Sequence, residues 1–547
     1  MESRQTVTMR LNFVVFFMES PMRKNGWSPA LLLSLMLSQG AALATPIRVE
    51  SGAVVGVQAD GVIIYKGVPY ATPPLGELRW REPQPPKPWK GVRKADTYAA
   101  ACLQKGVSMP GEAPPSVSED CLYVNVWTPV GGGQRPWPVL VWIHGGGYSN
   151  GSASMPLYWG DRLAGKGIVV VTIAYRLGPL GFLAHPELTR ESPHHSSGNY
   201  GLMDQIAALK WVQRNIGAFG GNPKRVTIAG QSAGSMAVSE LMASPQAKGL
   251  YQGAIGESGG LFEPLQLAPG YRLANAEHDG EKYATSVGAG SLRELRQLPA
   301  AQLLGGDAAS ITHPIIEPYV LPLAPYEAFA SERQNDVPVM IGSNADEARA
   351  LVTDVSSVKA ASFKADLVQS FGPMLAPIIE AYPLEAYPHA TDADARQARL
   401  DFERDLRFGW DMWTWARLQA MRGQPVYYYY FKHQPPFPAN SVYAGWGASH
   451  FAELWYVFDH LDQVPWDWTP GDRRLAEAMS SYWVNFVRSG NPNGPGLAVW
   501  GPFVGREGPV QYLNDPISTG PVPNIKQLSN FDTVYEPARR TSPDARQ

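Results

Sequence analysis

The chain has little charge and almost no cysteine. Of its 547 residues, 17% are charged and the formal net charge is −3, so it lacks the basic surface typical of nucleic-acid-binding proteins. Beyond the N-terminus, no apolar run approaches the roughly 18 residues of a membrane span. We therefore expect neither a nucleic-acid partner nor a stable membrane span. The apolar content of 44% is typical of a globular protein with a large core.

The N-terminus has the layout of a secretory signal. A short basic start at 22–24, an apolar stretch at 29–38 ("PALLLSLMLS") and the small residues of Ala42-Leu43-Ala44 follow one another. This pattern predicts a signal peptide that is cleaved after Ala44, with Met22 as the true start and 1–21 as an extension. The alternative is an uncleaved N-terminal anchor. Cleavage predicts an exported protein, periplasmic or secreted.

The two cysteines are Cys102 and Cys121. An export signal together with an even cysteine count favours a disulfide. The alternative is a pair of unpaired buried thiols.

Two stretches match the nucleophile motif G-x-S-x-G, one centred on Ser232 and one on Ser258. Ser232 follows the β-branched, apolar run 226–229 and precedes 235–242, which has no Gly or Pro. Strand, sharp turn and helix are the context that a nucleophile elbow requires. Two glycines and a proline follow Ser258 within six residues, which argues against a helix there. The context therefore predicts Ser232 as the nucleophile.

An elbow serine needs hydrogen-bond donors for the oxyanion that forms in acyl transfer. One is the backbone N–H of Ala233, and further donors are expected from a glycine-rich loop after an earlier strand. The apolar run 139–143 ends in His144-Gly145-Gly146-Gly147, which supplies such a loop.

The serine also needs a base, which in this chain order follows an acid. Five histidines lie beyond residue 300, and local composition does not choose securely among them: His313, His389, His433, His450 and His460. A glycine-bearing loop ahead of an aromatic run suits His450 best.

Several blocks resemble the type-B carboxylesterases, the family of bacterial p-nitrobenzyl esterases and animal cholinesterases. They are "YKGVPYATPPLGELRW" at 65–80, "EDCLYVNVW" at 119–127, the long block 198–234 and "GNPNG" at 490–494. The resemblance implies an α/β-hydrolase fold: a large, mostly parallel sheet flanked by helices, in one domain over 45–547. The segments 260–335 and 350–425 have helix-type composition and read as insertions that form the pocket walls. No metal or cofactor is implied.

The same resemblance implies roles for individual residues. In "GSNADEA" at 342–348 it places the acid at Glu347, with neighbouring Asp346 as the competitor, and in 447–458 it places the base at His450. It implies oxyanion donors at Gly146, Gly147 and Ala233, a Cys102–Cys121 disulfide, and Ser258 as support behind the triad. The chain departs from the family at Gln231, often Glu, which argues against cationic substrates, and at Ala348, usually Gly.

The sequence thus predicts a serine carboxylesterase that cleaves a small-molecule ester through an acyl-enzyme. Because its base must be neutral, activity should fall as His450 is protonated in acid. One alternative is a specialised detoxifying esterase for polycarboxylic or aromatic esters. Another is a non-catalytic, neuroligin-like binding protein, disfavoured because all three triad residues stand in their motifs.

Overall fold

The computed structural model describes residues 42–107, 109, 113–131 and 135–540, apart from the side chains of 371–375 and 377. Within these residues the strands are β1 (Ala42–Leu43), β2 (Ile47–Val49), β3 (Gly52–Val55), β4 (Val57–Ala59), β5 (Val62–Pro69), β6 (Val92–Lys94), β7 (Ala101–Cys102), β8 (Val117–Ser118), β9 (Tyr123–Pro129), β10 (Trp137–Ile143), β11 (Val169–Ile173), β12 (Gly221–Gln231), β13 (Gly253–Glu257), β14 (Val339–Asn344), β15 (Val426–Phe431), β16 (Val510–Leu513) and β17 (Ser518–Gly520).

The α-helices of the same residues are α1 (Asp161–Gly165), α2 (Gly178–Phe182), α3 (Pro186–Glu191), α4 (Tyr200–Asn215), α5 (Ala233–Ala243), α6 (Leu273–Ser286), α7 (Leu292–Gln297), α8 (Ala300–Leu303), α9 (Pro325–Ala330), α10 (Phe363–Ala381), α11 (Asp392–Arg404), α12 (Trp410–Ala420), α13 (Leu454–Val457), α14 (Pro470–Ser489) and α15 (Ile525–Arg540). A π-helical turn, Asp405–Gly409, joins α11 to α12.

One large sheet organises the described chain. Its strands lie in the order β1-β4-β5-β9-β11-β10-β12-β13-β14-β15-β16-β17. The run from β11 to β16 is parallel, and the strands on either side of it are antiparallel. The predicted large, mostly parallel sheet is thereby confirmed.

Both faces of this sheet are covered. Every residue of β10 is buried, and its side chains alternate between two cores. Val139 and Val141 point into one core, whereas Leu140 and Trp142 point into the other. A strand that is covered on both sides needs apolar residues at every position, which explains its continuous apolar run.

The predicted insertions are helical. The helices α6 to α9 lie between β13 and β14, and α10 to α12 lie between β14 and β15. The aromatic run at 427–431 belongs to a strand, as expected.

The predicted signal peptide lies outside the described residues except for its last three. Of these, Ala42 and Leu43 form the edge strand β1 against β4, so cleavage after Ala44 would remove that strand. No helix in the described part of the chain combines the length and apolar character needed to cross a membrane.

Candidate active site

Ser232 stands at the turn between β12 and α5. Its backbone has φ 58° and ψ −128°, an uncommon conformation for a residue with a side chain. The flanking glycines are required by close approach. A Cβ on Gly230 would lie 2.4 Å from the Gly234 carbonyl carbon, and one on Gly234 would lie 2.1 Å from the Ile143 oxygen. The strand–turn–helix that the sequence indicates is therefore present, with the serine at its apex.

Ser258 occupies a different setting at the end of β13. It is fully buried, its N–H donates to the Gly342 oxygen at 2.8 Å, and no helix follows. Among the described residues its hydroxyl has no hydrogen-bond partner. The structure thus places it one strand away from Ser232 and shows no bond from it to Glu347 or His450.

Glu347 begins a 3₁₀ turn just after β14 and contacts His450. Its Oε2 lies 2.6 Å from His450 Nδ1, and its Oε1 accepts the Asn344 N–H at 2.7 Å. Both side chains are buried, at 0% and 3% exposure. Both carboxylate oxygens of Glu347 are engaged, and the contact with Nδ1 holds that edge of the imidazole ring in place.

The competing carboxylate, Asp346, points elsewhere. Its Oδ2 accepts the Ala448 N–H at 2.9 Å, and its Oδ1 lies 3.0 Å from Arg349 Nε. It therefore anchors the loop that leads to His450 without touching the ring.

Two further neighbours of His450 are Phe408 and Gln231. The Phe408 ring stacks on the imidazole with centroids 4.6 Å apart and planes 20° apart. The amide nitrogen of Gln231 lies 3.3 Å from His450 Nε2, and Gln231 directly precedes Ser232. The described hydrogen bonds include none between the Ser232 hydroxyl and His450, and such a bond is often long before substrate binds.

The glycine loop after β10 lies against the serine turn. A Cβ on Gly145 would lie 3.0 Å from Ser232 Cβ, and one on Gly146 would lie 2.2 Å from the Asn150 oxygen. The backbone hydrogen bonds of the described residues use neither the Gly146 nor the Gly147 N–H. The N–H of Ala233, first in α5, has no partner within its helix. Three amides near Ser232 thus have no hydrogen-bond acceptor among the described backbone bonds.

Two further buried carboxyls lie behind Glu347, and the sequence analysis missed them. Glu257 accepts the Trp483 indole N–H at 2.7 Å, and burial raises its pKa to about 8. Glu453 accepts from the side-chain amide of Asn344. Burial, and then the nearby charges of Glu257 and Glu347, hold its pKa well above the ordinary value. In both cases burial disfavours the ionised carboxylate, which opposes additional negative charge next to Glu347. In the sequence, Glu257 directly precedes Ser258 and Glu453 follows His450 by three residues. That closeness to motif residues is the feature by which the two carboxyls could have been found.

A cavity of about 360 Å³ is lined in part by side chains that adjoin the serine turn and the histidine. Phe408, which stacks on His450, and Met236, one helical turn beyond Ser232, belong to its wall. The full lining is Met236, Gly260, Leu261, Glu263, Pro264, Leu265, Leu267, Ala268, Tyr271, Ile378, Leu406, Arg407, Phe408 and Tyr535. The wall is mostly apolar and comes largely from the two helical insertions.

The predicted disulfide is present, with Cys102 and Cys121 sulfurs 2.01 Å apart. In the part of the chain that the structure describes, no group of three or more His, Cys, Asp or Glu side chains is arranged to hold a metal ion.

Comparison with known proteins gives one consistent answer. The profile of the "Carboxylesterase family" matches residues 44–527. The chain is 36% identical over 486 residues to the fumonisin B1 esterase of Sphingopyxis macrogoltabida, covering 86% of each chain. It is 36% identical over 526 residues to the cocaine esterase of Homo sapiens, covering 88% of this chain and 90% of that one. A solved PNB esterase superposes with a TM-score of 0.75 at 32% identity, covering 89% of this chain and 99% of the other.

Proposed function

The chain belongs to the carboxylesterase family and is a carboxylic ester hydrolase; from this premise we propose that Ser232, Glu347 and His450 are its catalytic triad. The observation that carries the proposal is the 2.6 Å contact between Glu347 and His450 beside the strained turn that presents Ser232. Nothing else in the described residues joins a serine elbow, a histidine and a buried carboxylate in this way.

The proposed triad assigns each residue a role in ester hydrolysis. Glu347 holds the Nδ1 proton of His450, which leaves Nε2 unprotonated and able to accept the Ser232 proton. The serine oxygen attacks the ester carbonyl, and His450 then gives the proton to the departing alcohol. Water repeats the sequence on the acyl-enzyme, which releases the acid and restores the serine.

The amides of Gly146, Gly147 and Ala233 are proposed to stabilise the oxyanion of each tetrahedral intermediate. Because they are fixed before charge develops, they need no reorganisation during reaction, and a single donor of this kind is worth roughly 3 kcal/mol in the transition state.

The cavity beside the triad supports a neutral, apolar ester of moderate size as substrate. Relatives named for fumonisin B1 and for cocaine are equally similar to this chain, so identity does not select the substrate. The acidic and basic lining residues are Glu263, whose pKa burial raises to about 7, and Arg407, which is paired with Glu403 at 2.8 Å. A wall without excess positive charge does not favour polycarboxylic esters.

We further propose that the protein is exported. The N-terminal signal pattern and the Cys102–Cys121 disulfide support this together, because disulfides persist in oxidising compartments.

The test is turnover of p-nitrophenyl esters from acetate to palmitate by the full chain, by Ser232→Ala and by Ser258→Ala. We expect the Ser232 variant to lose turnover and the Ser258 variant to keep it, with short and medium acyl chains preferred to palmitate. A phosphonate adduct located on Ser232 by mass spectrometry would support the assignment directly. Turnover that survives in Ser232→Ala, or an adduct on Ser258, would overturn it.

A further inference from the structure

The positive-φ segment of the glycine loop includes one residue after the glycines, Tyr148. Gly146, Gly147 and Tyr148 have consecutive φ values of 103°, 59° and 57°. Glycine reaches this region without steric cost, whereas a residue with a Cβ meets a steric penalty there. Tyr148 keeps such a conformation only because its surroundings hold it there, so its side-chain contacts help to fix the loop.

Those contacts lead to the helix of the nucleophile. The Tyr148 hydroxyl donates to Glu240 Oε2 at 3.0 Å, and its ring packs on Phe182 with centroids 5.0 Å apart. Its carbonyl oxygen accepts the Gly178 N–H at 2.8 Å. Glu240 lies on α5, which starts directly after Ser232. One hydrogen bond therefore links the loop that carries two proposed oxyanion donors to the helix that carries the third.

Glu240 is a buried acid whose ionisation is disfavoured. It is 1% exposed, and among the described residues its Oε1 has no hydrogen-bond partner. Burial raises its pKa to about 8, opposed only by the hydrogen bond from Tyr148. The titratable groups that interact electrostatically with Glu240 are Tyr148, Tyr175 and Tyr271. Burial raises the pKa of these phenols above their ordinary value too, so Glu240 is the most acidic group of the four.

We propose that the hydrogen bond between Tyr148 and Glu240 positions the Gly146 and Gly147 amides for the oxyanion. The inference rests on the proposed function, since it assumes that these amides bind the oxyanion. Tyr148 and Glu240 are positioning residues that touch no substrate atom. Their effect acts on the transition state, where an error of about 1 Å in a donor is costly.

The pair also makes the site sensitive to alkali. When Glu240 ionises, a charge with one hydrogen bond is left in a dry environment, which favours local opening that hydrates it. The same negative charge opposes the developing oxyanion. Both effects lower kcat above about pH 8, and neither requires a change in substrate affinity.

The experiment compares the parent with Tyr148→Phe, Glu240→Leu and the conservative Glu240→Gln, using p-nitrophenyl butyrate between pH 6 and 9.5. Tyr148→Phe and Glu240→Leu should lower kcat between about tenfold and a hundredfold with KM within about twofold. They should weaken inhibition by a trifluoromethyl ketone, which forms a tetrahedral adduct, by a similar factor. Glu240→Gln keeps an acceptor for the phenol, so it should rescue most of kcat and lose the decline near pH 8.

Three results would overturn the proposal: a parent-like kcat in Tyr148→Phe, a loss confined to thermal stability, or a decline in Glu240→Gln with the parent's midpoint and size. Ser232→Ala, assayed alongside, separates this failure from that of the proposed triad. If Ser232→Ala is inactive while Tyr148→Phe is unaffected, only the positioning role fails. If Ser232→Ala is active, the triad assignment itself fails.

Discussion

Replacing Glu347 by Gln should damage catalysis through the orientation of one amide. Glu347 Oε1 accepts the Asn344 N–H at 2.7 Å, and Oε2 faces His450 Nδ1 at 2.6 Å. In the variant, the amide oxygen must stay on the Asn344 N–H, because an NH₂ group there would oppose another donor. The NH₂ group then faces Nδ1, which has to become an acceptor.

The ring proton consequently moves to Nε2, the nitrogen that should receive the Ser232 proton. In a serine hydrolase, an equivalent amide substitution that traps the wrong tautomer lowers kcat about 10⁴-fold, or about 5 kcal/mol of transition-state stabilisation. We expect a loss of this order with KM little changed, because the cavity wall is untouched.

The assay is steady-state release of p-nitrophenol at pH 8, with active-site titration to count folded sites. The matched control is Asp346→Asn, one residue away on the same loop. Its amide oxygen can still accept the Ala448 N–H, so we expect a loss below about tenfold, chiefly from the weakened contact with Arg349. A loss below tenfold in Glu347→Gln, or equal losses in the two variants, would refute the reasoning.

Three other predictions follow from single contacts. The folded pKa of Glu240 (about 8) exceeds its ordinary 4.5, so ionisation opposes folding increasingly as pH rises between these values. Glu240→Gln should therefore gain stability over the parent across that window, by at most about 5 kcal/mol, in denaturant titrations; a constant difference would contradict this. Replacing Cys102 and Cys121 by Ser opens a loop with a sequence separation of 19 and should cost about 3 kcal/mol, seen by calorimetry and reproduced by reducing the parent; no change would count against the chain-entropy argument. Gly146→Ala should lower kcat at least about a hundredfold, because its Cβ would sit 2.2 Å from the Asn150 oxygen; parent-like kinetics would exclude Gly146 from the oxyanion site.

The features that depend on a few neighbouring residues could be predicted from the sequence without knowledge of the fold. The distinction between Ser232 and Ser258 depends on the few residues on either side of each serine, because a strand followed by a helix is a short-range pattern. The large parallel sheet was inferred from the family resemblance, and continuous apolar runs such as 139–143 agree with it because strands covered on both faces need them.

The choice between Asp346 and Glu347 depended on longer-range information. Both carboxylates lie on one loop, and only resemblance to a family separated them at the sequence level. In the fold, Asp346 turns to the backbone of Ala448, whereas Glu347 turns to His450. The packing of the 447–450 loop on the end of β14 decides this, and no local pattern encodes it.

The sequence by itself determined the serine elbow, the glycine loop and the pair of cysteines, because each depends on neighbouring residues or on cysteine count, whereas the fold class followed from the resemblance to a family. Only the tertiary structure decided which side chains share a hydrogen bond and which carboxyls lose their water. Tyr148 and Glu240 are 92 residues apart, and Glu240 reads from the sequence as an ordinary polar residue of a helix. Its contact and its raised pKa arise from burial between elements that come together only in the folded chain.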